Sequence, residues 1–294
     1  AHPRISHAAA AALGCRSLRR WLLAHSSDAL AFSLPPEAEA FGQRESLCAR
    51  LKSILDLYAD GVGVLHELIT NADDAGASRV ALVLDEGSHG VRSLLSPALA
   101  ACQGPAVLAY NDAVFAPSDF QNLCSLGSDH KLASAAATGR FGLGFNAVYH
   151  LTDVPSFVSG EHVVFLDPHA THLPGATAQQ PGLRVRFAGG ALAAQFPDQA
   201  APYELLGCDM KRPFRGTLFR LPLRTAEAAA ASELKKEAYP PDAALALLRS
   251  LEPRARRLLL FLRNVRTLEV LHRPAGAAEP TLLFAATRRC VAAR

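Results

Sequence analysis

Four apolar segments in the second half of the chain follow one another with no long helix between them: Phe157-Val158, 162–166, 183–187 and 217–221. The first two read as a hairpin turning at Ser159-Gly160, and Leu183-Arg184-Val185-Arg186-Phe187 alternates as a half-buried strand should. Parallel strands need a crossover of a dozen or more residues, usually a helix. This order therefore favours a mixed or antiparallel sheet with helices on one face and argues against a doubly wound parallel sheet.

Upstream, Leu47, Leu51, Ile54, Leu55 and Tyr58 recur at helical spacing, which predicts a helix over 43–58, broken by Asp60-Gly61-Val62-Gly63. A second helix is expected over 64–75, ending at Asp74-Ala75-Gly76 before a buried strand at 80–84. A further strand is expected at 107–110 and a short helix at 145–151. Helical patterns at 226–237 and 242–262 are split by Pro240-Pro241, and 267–271 with 281–284 pair as a hairpin that would open a following domain. The expected division is 1–40, the tail of a preceding module; 41–225, the central domain; and 226–294, a helical linker and the start of the next domain.

Half of the 294 residues are hydrophobic, enough for a sizeable core. With 30 basic against 27 acidic side chains there is no strong field, which speaks against nucleic acid or an anionic membrane as partner. The six cysteines are scattered without a C-x-x-C pair, so a zinc knuckle or disulfide framework is not expected and a reducing cytoplasmic setting fits. No apolar run approaches the ~18 residues of a membrane span. The first residue is alanine and the only methionine is Met210, which reads as a piece of a longer chain.

Three segments carry chemistry. In Glu67-Leu68-Ile69-Thr70-Asn71-Ala72-Asp73-Asp74-Ala75, residues four apart project from one helix face, so Glu67 and Asn71 point together. An amide oxygen is an adequate protein ligand for Mg²⁺ beside phosphate and water, and a carboxylate one turn away is placed to take a proton from water. The bland alternative is the solvated face of an amphipathic helix. Gly139-Arg140-Phe141-Gly142-Leu143-Gly144-Phe145 leads into an apolar helix, where free N–H groups and close backbone approach favour an anion. It follows no β-α-β pattern and matches no G-x-x-x-x-G-K-[ST], so neither a dinucleotide fold nor a Walker loop is indicated. Arg215-Gly216-Thr217 enters a late strand.

In this order the three segments resemble the GHKL, or Bergerat, ATP-binding fold shared by the ninety-kilodalton heat-shock chaperone, type II topoisomerases, MutL and histidine kinases. Residues 139–153 look chaperone-like. The nearest resemblance is to the repeat modules of sacsin, carried by Phe41-Gly42-Gln43-Arg44-Glu45, 65–76, 139–155, Ser159-Gly160 and Leu166-Asp167-Pro168-His169. His2-Pro3-Arg4-Ile5-Ser6 look like the end of a preceding module of that kind.

The resemblance implies an α+β, two-layer sandwich of Bergerat type that binds ATP with Mg²⁺. It makes Glu67 the catalytic base, Asn71 the magnesium ligand and Asp74 the acidic residue near the sugar and phosphates. Gly139, Gly142 and Gly144 become the phosphate loop, Phe145 a backbone donor, and Thr217 the hydroxyl fixing the adenine-binding carboxylate. Where the fold carries Asp-x-Gly-x-Gly, this chain has Tyr110-Asn111-Asp112-Ala113-Val114-Phe115. Asp112 is expected to be the adenine carboxylate, with Asn111 the alternative; residues 126–138 would form a short lid. The expected function is a nucleotide-driven chaperone module, a Mg-dependent ATPase if turnover occurs. Its expected partners are ATP or ADP, client proteins or co-chaperones, and neighbouring modules of the same parent chain. The alternative is a non-catalytic scaffold, with Glu67 favouring the first and Ala113 and Phe115 the second.

Overall fold

Val80, Leu82 and Leu84 face one way along a strand, Ala81 and Val83 the other, and all five are buried. Such a strand needs cover on both faces and pairing on both edges. It is β1 (Arg79–Asp85) of the computed structural model, which describes residues 6–15, 45–58, 60–123 and 144–289. The chain divides into two units, 1–44 and 45–294. In the first, the described residues hold one short helix, α1 (His7–Ala12).

The second unit is an α+β sandwich on an eight-stranded sheet. Its strands are β1, β2 (Ala106–Asn111), β3 (Ser156–Gly160), β4 (His162–Leu166), β5 (Gly182–Arg186), β6 (Phe214–Pro222), β7 (Thr267–Arg273) and β8 (Thr281–Thr287). They lie in the order β5-β4-β3-β6-β2-β1-β7-β8, and every neighbouring pair is antiparallel except β1 with β7. The hairpins and alternation of the sequence fit this mostly antiparallel sheet.

The longer helices, α2 (Leu47–Leu57), α3 (Val62–Asp74), α8 (Pro241–Arg249) and α9 (Glu252–Phe261), put apolar residues into one core cluster, against which Phe120 and Leu123 of α4 (Pro117–Leu123) pack. Leu51, Ile54, Leu65, Ile69, Leu248 and Leu259 meet Val80, Leu82, Val107 and Leu268 there. The alternate strand residues, Ala81, Val83, Leu108 and Leu218, face a second cluster. It is closed by the 3-10 turn Pro97–Cys102 and by the segment 187–214, which carries α5 (Ala191–Gln195) and α6 (Pro197–Ala200).

The expected boundary at 225/226 does not appear within this unit. β7 lies beside β1 in parallel register, Val80 opposite Leu268 and Leu82 opposite Val270. Both ends of the pair are clamped by carboxylates. Asp73 accepts from the backbone N–H groups of Arg263, Asn264 and Val265 at 2.7–2.9 Å. Asp85 receives Arg273 Nε and Nη2 at 2.7 and 2.6 Å. A strand paired 188 residues downstream leaves no local pattern, which is why β7 and β8 read as a separate beginning.

The helix expected over 226–237 stops early, as α7 (Ala226–Ala231). Ser232 turns its hydroxyl to Asp153 Oδ1 at 3.0 Å and accepts from the N–H of Leu234, so the chain leaves the helix there.

Candidate functional site

α3 buries Val64, Leu65, Leu68, Ile69 and Ala72 and turns Glu67 and Asn71, both half-buried, toward the opposite side, with Asp74 exposed one turn on. The helix packs against a 3-10 turn, Gly144–His150, so the expected helix at this place is tighter than α. A Cβ added at Gly144 would run into the Glu67 carboxylate. Glycine is what lets that carboxylate lie over the beginning of the turn. The structure thus brings Glu67 and Gly144 together. Gly139 and Gly142 lie outside the described residues, as do 126–138 and Cys124. Phe145 packs its ring 5.5 Å from that of Phe219.

The turn is held from below by a network the sequence did not reveal. Arg224, buried just beyond β6, gives Nε and Nη2 to Asp153 Oδ1 at 3.0 and 2.8 Å, and donates to the carbonyls of His150 and Tyr149. It therefore satisfies carbonyls at the end of the turn that would otherwise be buried without partners. His150 Nε2 meets the Tyr58 carbonyl at 2.6 Å and ties the turn to the end of α2. The only local signal is a charged pair 71 residues apart.

At the strand end, the Asp112 carboxylate has partners within the protein. Asp112 accepts from Ser78 N–H, Ser78 Oγ and Arg79 N–H at 2.7, 2.5 and 3.0 Å, so its carboxylate closes the loop between α3 and β1. Burial pushes its carboxyl up, but these hydrogen bonds outweigh it and hold the group below the ordinary carboxylate range. The alternative, Asn111, stands directly opposite Thr217 in the β2–β6 register. The two share the helix-covered face, since Val107, Ala109 and Phe219, at the same alternation, belong to that core. β2 and β6 approach so closely that a Cβ at Gly216 would lie 2.7 Å from the Asn111 carbonyl oxygen. Glycine is required there.

Among the described residues Thr217 reaches no carboxylate. Its hydroxyl donates to Ala113 O at 2.8 Å and lies 2.8 Å from Ser159 Oγ, which accepts from the N–H of Phe115 at 2.9 Å. Thr217 and Ser159 brace the 113–115 backbone. Ser159 had registered only as a hairpin position. The Phe115 ring lies 4.9 Å from Phe157 and 5.3 Å from Phe120, and so joins an aromatic cluster over β3 and β6.

The loop after β4 is tied down through its histidines: the backbone N–H of His172 donates to Asp167 at 2.6 Å, and His169 Nε2 accepts from Glu233 N–H. Burial pushes His169 toward the neutral form. Among the described residues no group of His, Cys, Asp and Glu could hold a metal ion, and no helix is long and apolar enough to cross a membrane. Arg254, Arg256 and Arg257 are exposed along α9.

Fold and site together define a mixed α+β module in which a helix, a glycine turn and two strand ends converge on one side of a sheet. Residues 44–285 match the model of the Sacsin domain. The chain is also 38% identical over 231 residues to sacsin of Homo sapiens, covering 78% of this chain and about 5% of that protein's length. This chain belongs to the Sacsin domain family.

Proposed function

We propose that this chain is a chaperone-type module that binds a nucleoside triphosphate with Mg²⁺ on the side of the sheet covered by α3, ATP being the nucleotide the GHKL resemblance implies. The observation that carries the reading is the seat of the Glu67 carboxylate over Gly144, possible only because residue 144 has no side chain. Backbone N–H groups at the start of a turn are where phosphate oxygens settle, and Gly144 and Phe145 supply them. Asn71, one helical turn from Glu67, is the amide oxygen suited to Mg²⁺, a hard cation that keeps most of its waters. Bound there, the ion would neutralise phosphate charge. Glu67 would take the proton of an attacking water at a carboxylate oxygen. Asn111, rather than Asp112, is the side chain proposed to face the base. The parent protein's clients and its nucleotide-driven docking of neighbouring modules belong to the same proposal.

Fluorescent ATP and ADP titrated into the chain with and without Mg²⁺ test it. Saturable binding strengthened by Mg²⁺ is expected; a folded chain that binds neither nucleotide overturns it. One feature favours the second reading, a non-catalytic scaffold: Ala113 and Phe115 stand where Asp-x-Gly-x-Gly has its glycines once Asn111 takes the Asp position, and the Phe115 ring packs on Phe157.

A further inference from the structure

We propose that the face of the sheet turned away from α3 carries a second binding cleft, which takes an acidic side chain of a partner polypeptide together with the apolar residue beside it. The inference does not depend on the nucleotide reading above.

The cleft has a volume of about 610 Å³ and lies between Tyr110 of β2 and the segment 206–215 that leads into β6. That segment is a fixed wall. Leu205, Cys208 and Met210 are buried and anchor it, while Leu206 and Met210 both hold φ at 52°, in the left-handed region that residues other than glycine rarely adopt. Such a backbone persists only where the surrounding packing over-determines it. Leu206, Pro213 and Phe214 supply an apolar lining.

Tyr110 brings to this cleft a polar group with nothing to bind. The residue is only 9% exposed. The Arg79 guanidinium covers its ring at 5.5 Å, the Phe214 ring lies 5.9 Å away, and Gly216, having no Cβ, lets the ring edge lie close against β6. What this leaves for the cleft is the hydroxyl end, and among the described residues that hydroxyl makes no hydrogen bond. Burial pushes the phenol up, so the hydroxyl keeps its proton and stands as a donor. A hydroxyl covered in this way and left unpaired costs stability, which an acceptor in the cleft would restore.

The charges select an anion. Among the described residues the one acid lining the cleft, Asp209, already accepts from the backbone N–H groups of Lys211 and Arg212 at 2.9 and 2.8 Å and from Arg212 Nε at 2.6 Å. Arg215 is exposed at the rim, and among the described residues its guanidinium has no partner. A hydroxyl donor and a guanidinium beside an apolar wall suit a carboxylate, whose hydrogen bonds to a charged donor are the strong ones, with an apolar side chain next to it. Gly207, Arg212, Pro213 and Arg215 are all exposed, so the cleft is open to solvent. A small-molecule site encloses most of its ligand, whereas a length of polypeptide can enter with two side chains and leave the rest in water.

The test is isothermal titration of the full chain with three probes: the capped peptide Gly-Ser-Glu-Phe-Glu-Ser-Gly, its counterpart with both Glu replaced by Gln, and 4-phenylbutyrate, a free carboxylate on an apolar body. The acidic peptide is expected to bind saturably, at least about tenfold more tightly than the Gln peptide, the size of one charge-assisted hydrogen bond. Arg215→Gln and Tyr110→Phe are each expected to weaken the acidic peptide about fivefold to tenfold and to leave the Gln peptide unmoved. Equal affinity for the two peptides, no saturable binding of the acidic peptide to a chain whose circular dichroism is that of a folded protein, or an affinity unmoved in both folded variants overturns the proposal. Phenylbutyrate binding as tightly as the acidic peptide assigns the cleft to a small acid and overturns the polypeptide reading. Should Tyr110→Phe not fold, Arg215→Gln, a substitution at the surface, decides in its place.

Discussion

The two ends of the candidate site are built from different contacts. At the α3 end, the Glu67 carboxylate lies against Gly144, and Asn71 stands one turn further along the same helix. At the strand end, Thr217, Ser159 and Asp112 spend their hydrogen bonds on the protein's own backbone, and Phe115 is packed into an aromatic cluster. A group already satisfied internally gains little from a ligand, because binding it would only exchange one hydrogen bond for another. Much of the second end has thus been turned into structure, and the first is the end at which the proposed ligand would be seated.

The sharpest way to break this comparison is Gly144→Val. Its side chain collides with the Glu67 carboxylate, and nucleotide affinity is expected to fall at least about a hundredfold, roughly 2.7 kcal/mol or more. Adding Glu67→Ala removes the collision and should recover much of the variant's lost thermal stability, though not the affinity. If titration calorimetry finds affinity unchanged in a folded Gly144→Val chain, the glycine turn is not part of a binding site.

Phe115→Ala tests the other end. Its ring is half-buried, so the variant is expected to lose about 2 kcal/mol of stability, less than the roughly 3–5 of a fully buried ring. Nucleotide affinity should drop less than threefold, an effect of ~0.6 kcal/mol. A chemical-denaturation midpoint that does not move would show that the aromatic cluster carries no structural weight.

Asn71→Ala should behave in the opposite sense. Affinity for the Mg²⁺-loaded nucleotide is expected to weaken roughly tenfold, with metal-free affinity and stability nearly unchanged. Equal losses with and without Mg²⁺ would make Asn71 a structural residue and erase the contrast between the two ends.

The smallest effect concerns Asp112. Its carboxyl is held below the ordinary range in the folded chain, so the charged form contributes stability above the unfolded-state value of about 4. That contribution is lost as pH falls below about 4 toward the folded-state value. The stability difference between wild type and Asp112→Asn, measured by thermal melts, should therefore be largest near neutrality and shrink in acid. A difference that stays constant down to pH 3 would mean that the charge on Asp112 is not what closes the loop to Ser78 and Arg79.

Much of the architecture was legible because it is written in local periodicity. The β3–β4 hairpin, the alternation of β5 and the apolar stripes of α2 and α3 each follow from spacing within a dozen residues. The pairing of Glu67 with Asn71 is legible for the same reason, being a property of one helix. Which of Asn111 and Asp112 stands across from Thr217 was not. Both are short polar residues at a strand end, and only the β2–β6 register, with Thr217 opposite Asn111, separates them.

Sequence by itself determined the mostly antiparallel sheet and the helix bearing Glu67 and Asn71, since each depends on near neighbours or on the short reach of a turn. Tertiary structure alone decided that β7 and β8 complete the sheet, that Arg224 with Asp153 supports the 144–150 turn, and that Asp112 serves the α3–β1 loop. These depend on pairings across 34 to 188 residues. Burial and exclusion of water select such partners only once the sheet has formed, and no spacing rule along the chain records them.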